Sequence, residues 1–374
     1  MPTVAVNLLW CLPGKVGGSE EYVTRALGPL AAEAPDLTLT LFALPDFTAA
    51  HPELAERYEV VVAPVGGDRR GLRVVAERTW LAAQVRRRHP ALLHHAGGTA
   101  APGSGSVPVV LSMHDIQYMA HPEYFSRVKL AWLRHELPSS VARARVVTTP
   151  SEFVASSLVE AHGVDPARLV VVPHGLPVGF ADASFDEEDL RARYRVPGPF
   201  LLYPAATYPH KNHLVLLDAL AQLEDRPELR LVLTGGPAAS EELLREAIAR
   251  RGLQERVVRT GRVPDADRDA LLRTASALAF PSRYEGFGAP VVEAMAVGTP
   301  VLASGVTALP EVVGPAGLLL DPDDPTAWAD AIARVLDDAA LRARLVAAGH
   351  ARAETFTAEH SAQALARAYR RLLP

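Results

Sequence analysis

The stretch from Ser276 to Ala296 restricts the fold of this chain more than any other. Ser276–Phe280 is a short apolar run with the length of a buried strand. Gly286 and Gly288 follow and allow the backbone to turn tightly and to approach a ligand closely. Pro290 suits the first turn of a helix, which apolar residues then continue. The stretch therefore predicts a strand, a glycine loop and a helix whose free N–H groups favour an anion such as a diphosphate.

Two carboxylates frame this predicted anion site. Glu285 lies in the loop, and Glu293 lies eight positions later, about one turn into the helix. Because an ionised carboxylate only accepts hydrogen bonds, both side chains suit hydroxyl groups and neither suits phosphate. An anion site between two hydroxyl-binding carboxylates suits a ligand that has a diphosphate between two hydroxyl-rich rings. A nucleotide sugar is such a ligand. An ordinary strand–loop–helix unit with two incidental glutamates is the alternative.

The segment Pro281–Ala296 resembles the glutamate–seven–glutamate motif of the retaining glycosyltransferases of family 4, also called group 1, which have the GT-B fold. The resemblance continues through Gly298–Ser304 and Leu309–Gly314, and it leans towards mannosyltransferase-like members. It implies that Glu285 binds the sugar hydroxyls and that Glu293 binds the ribose. The loop residues that it implies for donor binding are Glu285, Gly286, Phe287 and Gly288.

Short apolar runs alternate with helical segments along the rest of the chain, which predicts parallel sheets with helices on both faces. The predicted strands of the first half are Val4–Leu9, Leu37–Ala43, Glu59–Ala63, Ala91–His95, Val107–Leu111, Arg145–Thr149 and Leu169–Val172. Those of the second half are Phe200–Pro204, Arg230–Thr234, Val257–Thr260, Ser276–Phe280 and Val301–Ser304. A length of 374 residues is enough for two domains.

The resemblance gives these domains a specific form. It implies an α/β protein of the GT-B fold, with two Rossmann-like doubly wound domains that face each other across a cleft. Residues 1–180 would form an acceptor-binding domain and residues 190–355 a nucleotide-sugar-binding domain. The C-terminal helix, at about 356–374, would pack back on the first domain.

Two features of the first domain are candidates for the site. Gly17 and Gly18 form a second glycine-rich loop before a helix, with Ser19 as the predicted N-cap. By resemblance, this loop lies near the donor phosphates and the acceptor; a plain strand–helix turn is the alternative. His114 follows a predicted strand, where ligands of parallel sheets bind. Together with Pro122–Phe125 it resembles a mannosyltransferase motif whose histidine lies beside the donor sugar; a structural histidine is the alternative.

The second domain contributes a rare lysine. The chain has lysine only at Lys15, Lys129 and Lys211, and Lys211 matches the diphosphate lysine of the family. Many members carry an arginine six residues before it, where this chain has Ala205, and His210 is the expected partial substitute. The segment with Arg262 and Val263 resembles the one that lies along the nucleobase.

Composition excludes several classes of function. A net charge of −5 argues against an extended nucleic-acid interface. The single cysteine, Cys11, fits a reducing compartment, and no run of about 18 apolar residues is present. We therefore expect a cytoplasmic protein. The sequence leaves the oligomeric state open.

Two arginine-rich helical stretches lie in the first domain. Residues 69–88 include Trp80, and residues 127–145 include Lys129, Trp132 and Arg134. A peripheral contact with an anionic membrane is one interpretation of such stretches. Interspersed acidic residues favour a solvated helix face instead.

The resemblance implies a retaining hexosyltransferase that uses a nucleotide-diphosphate sugar of the GDP-mannose or UDP-sugar type. The acceptor would be a hydroxyl of a saccharide, lipid or small molecule, with His114, Lys211 and Glu285 as catalytic residues. No cofactor or metal is expected. A sugar-nucleotide epimerase of the same fold and a non-catalytic nucleotide-sugar binder remain as alternatives. A glucan phosphorylase is disfavoured, because the few lysines offer no clear pyridoxal site.

Overall fold

A computed structural model describes residues 1–182 and 184–373. The chain divides into two compact units. Unit 1 contains residues 1–177 and 357–374, and unit 2 contains residues 178–356.

Unit 1 is built on a seven-stranded parallel sheet with the order β3-β2-β1-β4-β5-β6-β7. The strands are β1 (Thr3–Leu8), β2 (Thr38–Ala43), β3 (Glu59–Val62), β4 (Leu92–His95), β5 (Val109–Ser112), β6 (Val146–Thr149) and β7 (Leu169–Val171). The strands β4, β5 and β6 are buried along their whole length, and β1 and β2 are buried except at their first residue, as expected for a sheet that is covered on both faces.

The helices of residues 1–177 connect these strands. They are α1 (Gly18–Glu33), α2 (Phe47–Ala50), α3 (Pro52–Arg57), α4 (Arg70–Ala76), α5 (Ala82–Arg88), α6 (Gln117–Ala120), α7 (Arg127–Arg143) and α8 (Glu152–His162). A π-helical segment, Glu77–Leu81, joins α4 to α5, and short 3₁₀ turns occupy Pro122–Tyr124 and Pro166–Arg168. The prediction of Ser19 as an N-cap is wrong, because α1 begins at Gly18 and Gly17 takes the cap position with φ of +64°.

Unit 2 is built on a six-stranded parallel sheet with the order β10-β9-β8-β11-β12-β13. Its strands are β8 (Phe200–Pro204), β9 (Arg230–Thr234), β10 (Val257–Gly261), β11 (Ala277–Phe280), β12 (Val301–Ser304) and β13 (Gly317–Leu320). The predicted strands are all present, and β13 is an edge strand that the sequence analysis missed.

The helices of unit 2 are α9 (Glu187–Tyr194), α10 (His213–Gln222), α11 (Glu241–Arg250), α12 (Asp265–Thr274), α13 (Ala289–Ala296), α14 (Leu309–Val313), α15 (Pro325–Asp337) and α16 (Ala339–Ala353). Short 3₁₀ turns occupy Pro209–Lys211 and Gly314–Ala316. Trp328 of α15 is fully buried, and its Nε1–H donates to the Asp321 carbonyl at 2.9 Å.

The last helix, α17 (Ala358–Arg370), belongs to unit 1. It packs along α1, and its Tyr369 is fully buried. The Tyr369 hydroxyl lies 2.8 Å from Nδ1 of His94, whose Nε2 lies 2.8 Å from Ser112 Oγ. This buried network ties α17 to β4 and β5, so the sheet of unit 1 includes a polar anchor from the end of the chain.

Candidate active site

In each sheet the strand order reverses at one strand, and the loops beyond the carboxyl end of that strand and of its neighbours carry the candidate residues. In unit 2 the change occurs at β8, which has β9 on one side and β11 on the other. The loop after β8 carries Lys211, and the loop after β11 carries Glu285. Ligands of doubly wound sheets bind at such switch points, beyond the carboxyl ends of the strands.

Lys211 and Glu285 form an ion pair across these loops. Lys211 Nζ donates to Glu285 Oε1 at 2.5 Å. The two side chains are only 19% and 13% exposed, so the pair is largely withdrawn from solvent. Two residues that were singled out separately in the sequence are thus in direct contact.

Hydrogen bonds from the core fix the position of Lys211. The buried Tyr203 hydroxyl donates to the Lys211 carbonyl at 2.7 Å and lies 3.0 Å from Ser282 Oγ. The Asn212 side chain donates to the carbonyls of Pro281 and Pro322, at 3.2 and 2.7 Å. The loops after β8 and β11 are therefore bound to each other, which gives Lys211 a defined place.

The glycine loop leads into α13 as the sequence predicts. Gly288 has φ of +101° and lies at the N-cap of this eight-residue helix. A Cβ atom there would lie 2.7 Å from Leu309 Cδ2, so a larger residue would need both strain and repacking. The Phe287 side chain is buried and packs edge-on against Phe356 at 5.5 Å. The Glu293 side chain is also buried.

Thr307 is a residue of this site that the sequence analysis missed. Its hydroxyl accepts a hydrogen bond from the Glu285 backbone N–H at 3.1 Å and donates to the Val306 carbonyl at 2.7 Å. Its φ of +57° is unusual for a β-branched residue. Such strain is common where a side chain must be held in a functional position. In Thr307 this backbone conformation places the hydroxyl within hydrogen-bond distance of the Glu285 N–H.

The remaining candidates of unit 2 lie at neighbouring loops. His210 is in the 3₁₀ turn before Lys211, and its ring stacks on Tyr208 at 5.7 Å. Arg262 and Val263 follow directly after β10, and Arg262 is exposed. They lie beyond the carboxyl end of a strand of the same sheet.

Unit 1 has a pocket of about 420 Å³ at its own switch point, where β1 lies between β2 and β4. Trp10 follows β1, Gly97–Thr99 follow β4, and Met113–Asp115 follow β5; all of them line the pocket. A Cβ atom on Gly97 would lie 2.2 Å from Trp10 Cγ, so glycine is needed for the indole ring to lie against this loop.

His114 lies in the wall of this pocket. Its Nε2 lies 2.9 Å from the Ala96 carbonyl, which only accepts hydrogen bonds, so Nε2 carries the proton. Burial lowers the pKa of His114 below its usual value of 6.5. The ring is therefore neutral near pH 7, and Nδ1 is left as an acceptor. Rings of Tyr22 and Trp10 lie 5.2 and 6.1 Å away and fix its orientation.

Gly17 and Gly18 lie at the start of α1, and the neighbouring Ser19 lines the same pocket as His114. Apart from the adjoining backbone, no atom of residues 1–182 and 184–373 lies within 4 Å of a Cβ added at either glycine, so the backbone at this helix start is open. Glu20 secures the loop, because its carboxylate accepts from the Gly14 N–H at 2.8 Å and lies 2.9 Å from His51 Nε2.

No group of three or more His, Cys, Asp or Glu side chains in residues 1–182 and 184–373 is arranged to hold a metal ion. Over the same ranges, no helix combines the length and the apolar character that a membrane crossing needs.

Comparison with known sequences decides the family. The family profile "Glycosyl transferases group 1" matches residues 186–352, and "Glycosyltransferase Family 4" matches residues 16–180. The O-antigen chain mannosyltransferase B of Escherichia coli is 33% identical over 268 residues, which are 70% of this chain and 70% of the relative. The chain belongs to glycosyltransferase family 4.

Other relatives agree with this assignment. The D-inositol 3-phosphate glycosyltransferase of Nocardioides is 34% identical over 80% of this family 4 chain and 67% of its own length. The crystal structure of Anabaena HepE with UDP and glucose has a TM-score of 0.79 at 24% identity, and covers 99% of this chain and 100% of HepE. The sucrose-phosphate synthase of Thermosynechococcus elongatus has a TM-score of 0.78 at 22% identity, with 100% and 99% covered. The predicted two-domain α/β GT-B fold is confirmed.

Proposed function

We propose that this family 4 glycosyltransferase moves a hexose from a nucleotide-diphosphate sugar to an acceptor hydroxyl, with retention of configuration and without a metal ion. The observation that carries the proposal is the Lys211–Glu285 ion pair beside the N-terminus of α13. Lys211 supplies a cation and the start of α13 supplies backbone N–H groups for a diphosphate, while Glu285 supplies a carboxylate for sugar hydroxyls.

Lys211 and the N–H groups at Gly286–Gly288 would hold the donor diphosphate. Negative charge builds on this group as its bond to the sugar breaks. Fixed donors aimed at that charge stabilise the transition state, and they need no cation. The free oxygen of Glu285 would accept from a sugar hydroxyl, and Glu293 would bind the ribose.

The reaction forms a bond between the acceptor oxygen and the anomeric carbon, and breaks the bond between that carbon and the diphosphate. By resemblance to the family, attack takes place on the same face as departure, and the acceptor proton passes to the released nucleoside diphosphate. Neutral His114, with Nδ1 as an acceptor, would bind a hydroxyl of the sugar. Gly17 and Gly18 would approach the diphosphate through their backbone, whereas His210, Arg262 and Val263 would lie near the phosphates and the base.

The donor is best identified by a thermal-shift screen of UDP-, GDP-, ADP- and dTDP-sugars, because a ligand of the folded state raises the melting temperature. GDP-mannose and UDP-glucose come first, since the E. coli relative is named for mannose and HepE was crystallised with UDP-glucose. Release of nucleoside diphosphate is then measured with and without acceptors, and NMR gives the anomeric configuration of the product.

The outcomes separate the candidate functions. Acceptor-dependent release with a retained configuration supports the proposal, and an inverted product refutes the retaining mechanism. Interconversion of the donor sugar without an acceptor would identify an epimerase. Tight donor binding without hydrolysis or transfer to any acceptor would identify a binding protein.

A further inference from the structure

The pocket of unit 1 is lined by more positive charge than its own carboxylates neutralise. Arg70 and Arg73 of α4 and Lys129 of α7 all line it. Within the described residues, none of these three cations has a carboxylate oxygen within 4.0 Å, although such pairs are frequent elsewhere in the chain. Three unpaired cations around one cavity favour an anionic ligand.

Aromatic rings hold two of these cations in place. The Arg70 guanidinium lies 4.8 Å from the centre of the Trp132 ring, and Lys129 Nζ lies 5.0 Å from the Phe125 ring. Trp132 and Phe125 also line the pocket. A cation over a ring is oriented but keeps its N–H groups for a further partner. The charges are thus positioned at the rim without being neutralised.

Arg73 lies deeper and gives an independent indication of a ligand. One of its terminal nitrogens, Nη1, donates to the Trp10 carbonyl at 3.2 Å. Its Nε is buried and has no hydrogen-bond partner among residues 1–182 and 184–373. A buried N–H group without an acceptor is costly, and it is expected where a ligand supplies the acceptor.

The backbone next to Arg73 is irregular. The π-helical segment Glu77–Leu81 interrupts the helix, and such segments occur often at functional sites. Glu77 opens the segment, lines the pocket and accepts from the Asn7 side chain at 3.3 Å. Burial raises the pKa of Glu77, whereas the Asn7 hydrogen bond and the charges of Arg73 and Arg78 act in the opposite direction. Glu77 and the exposed Asp115 provide acceptors for hydroxyl groups beside the cations.

We propose that this pocket binds an acceptor that carries a phosphate ester, with the phosphate on Arg70, Arg73 and Lys129. Guanidinium groups present paired N–H donors that match phosphate oxygens, and a phosphate ester carries up to two negative charges for three cations. A hydroxyl on the same acceptor bonds to the anomeric carbon, the bond from that carbon to the diphosphate breaks, and the hydroxyl proton leaves on the nucleoside diphosphate. This inference rests on the proposed transferase function.

Binding is tested first, with nucleoside diphosphate present at saturation so that the Lys211 site is filled. Calorimetry compares glucose 6-phosphate and glycerol 3-phosphate with glucose and glycerol. A second arm compares vesicles of phosphatidylinositol, whose phosphate gives the lipid a net negative charge, with vesicles of phosphatidylcholine, whose phosphate is neutralised by its own choline. Inorganic phosphate serves as competitor in both arms. We expect the anionic phosphate probe of at least one arm to bind and inorganic phosphate to displace it. The arm that responds tells whether the phosphate ester is free or part of a lipid.

Matched variants then assign the effect to the pocket. Arg70→Met, Arg73→Met and Lys129→Met should each weaken binding of the phosphate-bearing probe by about 10- to 100-fold. The neighbouring variants Arg69→Met and Arg127→Met remove the same charge from outside the pocket lining, and they should change binding less than twofold. A melting temperature close to that of the unmodified protein confirms that each variant is folded.

Transfer assays separate this inference from the proposed function. Once an acceptor is found, its KM should rise in the three pocket variants, whereas hydrolysis of the donor without acceptor should stay unchanged. Equal binding of the anionic phosphate probe and its neutral control in both arms, or equal losses in pocket and control variants, would overturn the phosphate site. Absence of any donor turnover would refute the transferase, while the calorimetric result would still test the phosphate site.

Discussion

Replacement of Lys211 by methionine keeps most of the side-chain volume and removes the charge beside Glu285. At 2.5 Å and an effective dielectric constant of about 20, the attraction between the two charges is about 7 kcal/mol. Desolvation of the two ions offsets several kcal/mol each, so the net value of the pair is small. The larger effect is the unpaired carboxylate that remains. It should cost about 3 kcal/mol of unfolding free energy, or about 6–12 °C in melting temperature.

The same variant should also lose activity, for a reason that is separate from its loss of stability. If Lys211 binds the departing diphosphate, Lys211→Met loses a donor to the developing charge, and kcat should fall about 100- to 1000-fold. The double variant Lys211→Met/Glu285→Gln leaves neither charge alone, so it should regain much of the lost stability. It should not regain activity. Stability and catalysis are thus affected in different ways by the same pair of residues.

The assay is steady-state release of nucleoside diphosphate from a validated donor, combined with thermal unfolding of each variant. Arg250→Met is the control, because it breaks an exposed pair with Glu246 on α11, and such pairs contribute less than about 1 kcal/mol. A kcat of Lys211→Met within tenfold of the unmodified enzyme would refute the role of Lys211. Recovery of activity in the double variant would show that the loss came from the unpaired Glu285 instead.

Three further predictions concern the two glutamates, the need for a metal ion, and the buried histidines. Glu285→Gln should lower kcat, because the carboxylate faces a sugar that gains positive charge, whereas Glu293→Gln should mainly raise the donor KM; the reverse pattern in steady-state kinetics would exchange their roles. Activity should persist in EDTA, and loss that is restored by Mg²⁺ or Mn²⁺ would contradict a metal-independent reaction. Burial lowers the pKa of His94 to about 3 and those of His95 and His213 to about 4. These groups take up protons only on unfolding, so stability should be full above pH 6.5 and fall towards pH 4, by up to about 1.4 kcal/mol per pH unit for each histidine. Urea unfolding at pH 7 and pH 5 with equal free energies would contradict this.

The sequence was sufficient for features that depend on local pattern. Apolar runs with Gly286, Gly288 and Pro290 predicted β11, the loop and α13, because strand and helix signals lie within a few residues of each other. The edge strand β13 was missed, since Gly317–Leu320 is a four-residue run that an alternation argument does not distinguish from a loop.

Features that depend on tertiary contact could not be predicted. The sequence singled out Lys211 and Glu285, but their ion pair forms only when the loops after β8 and β11 meet. Thr307 has no local signal at all, because its partner is a backbone N–H 22 residues away. Similarly, the sequence favoured a solvated helix face for each of the two arginine-rich stretches. The contact between Arg70 of the first stretch and Trp132 of the second shows that both stretches line one pocket.

The return of α17 to unit 1 has a consequence for synthesis on the ribosome. Unit 2 is one continuous segment, so it can fold as soon as it has emerged. Unit 1 consists of two segments that are separated by unit 2 in the sequence. Its core includes Tyr369 and other buried residues of α17, so it cannot be completed until these residues have been translated, after all of unit 2. The Leu176 carbonyl accepts from the Ala358 N–H at 2.9 Å, so the end of the first segment of unit 1 lies next to the start of its second segment. A gene that joins codon 177 to codon 357 through a short linker should therefore yield unit 1 without this delay.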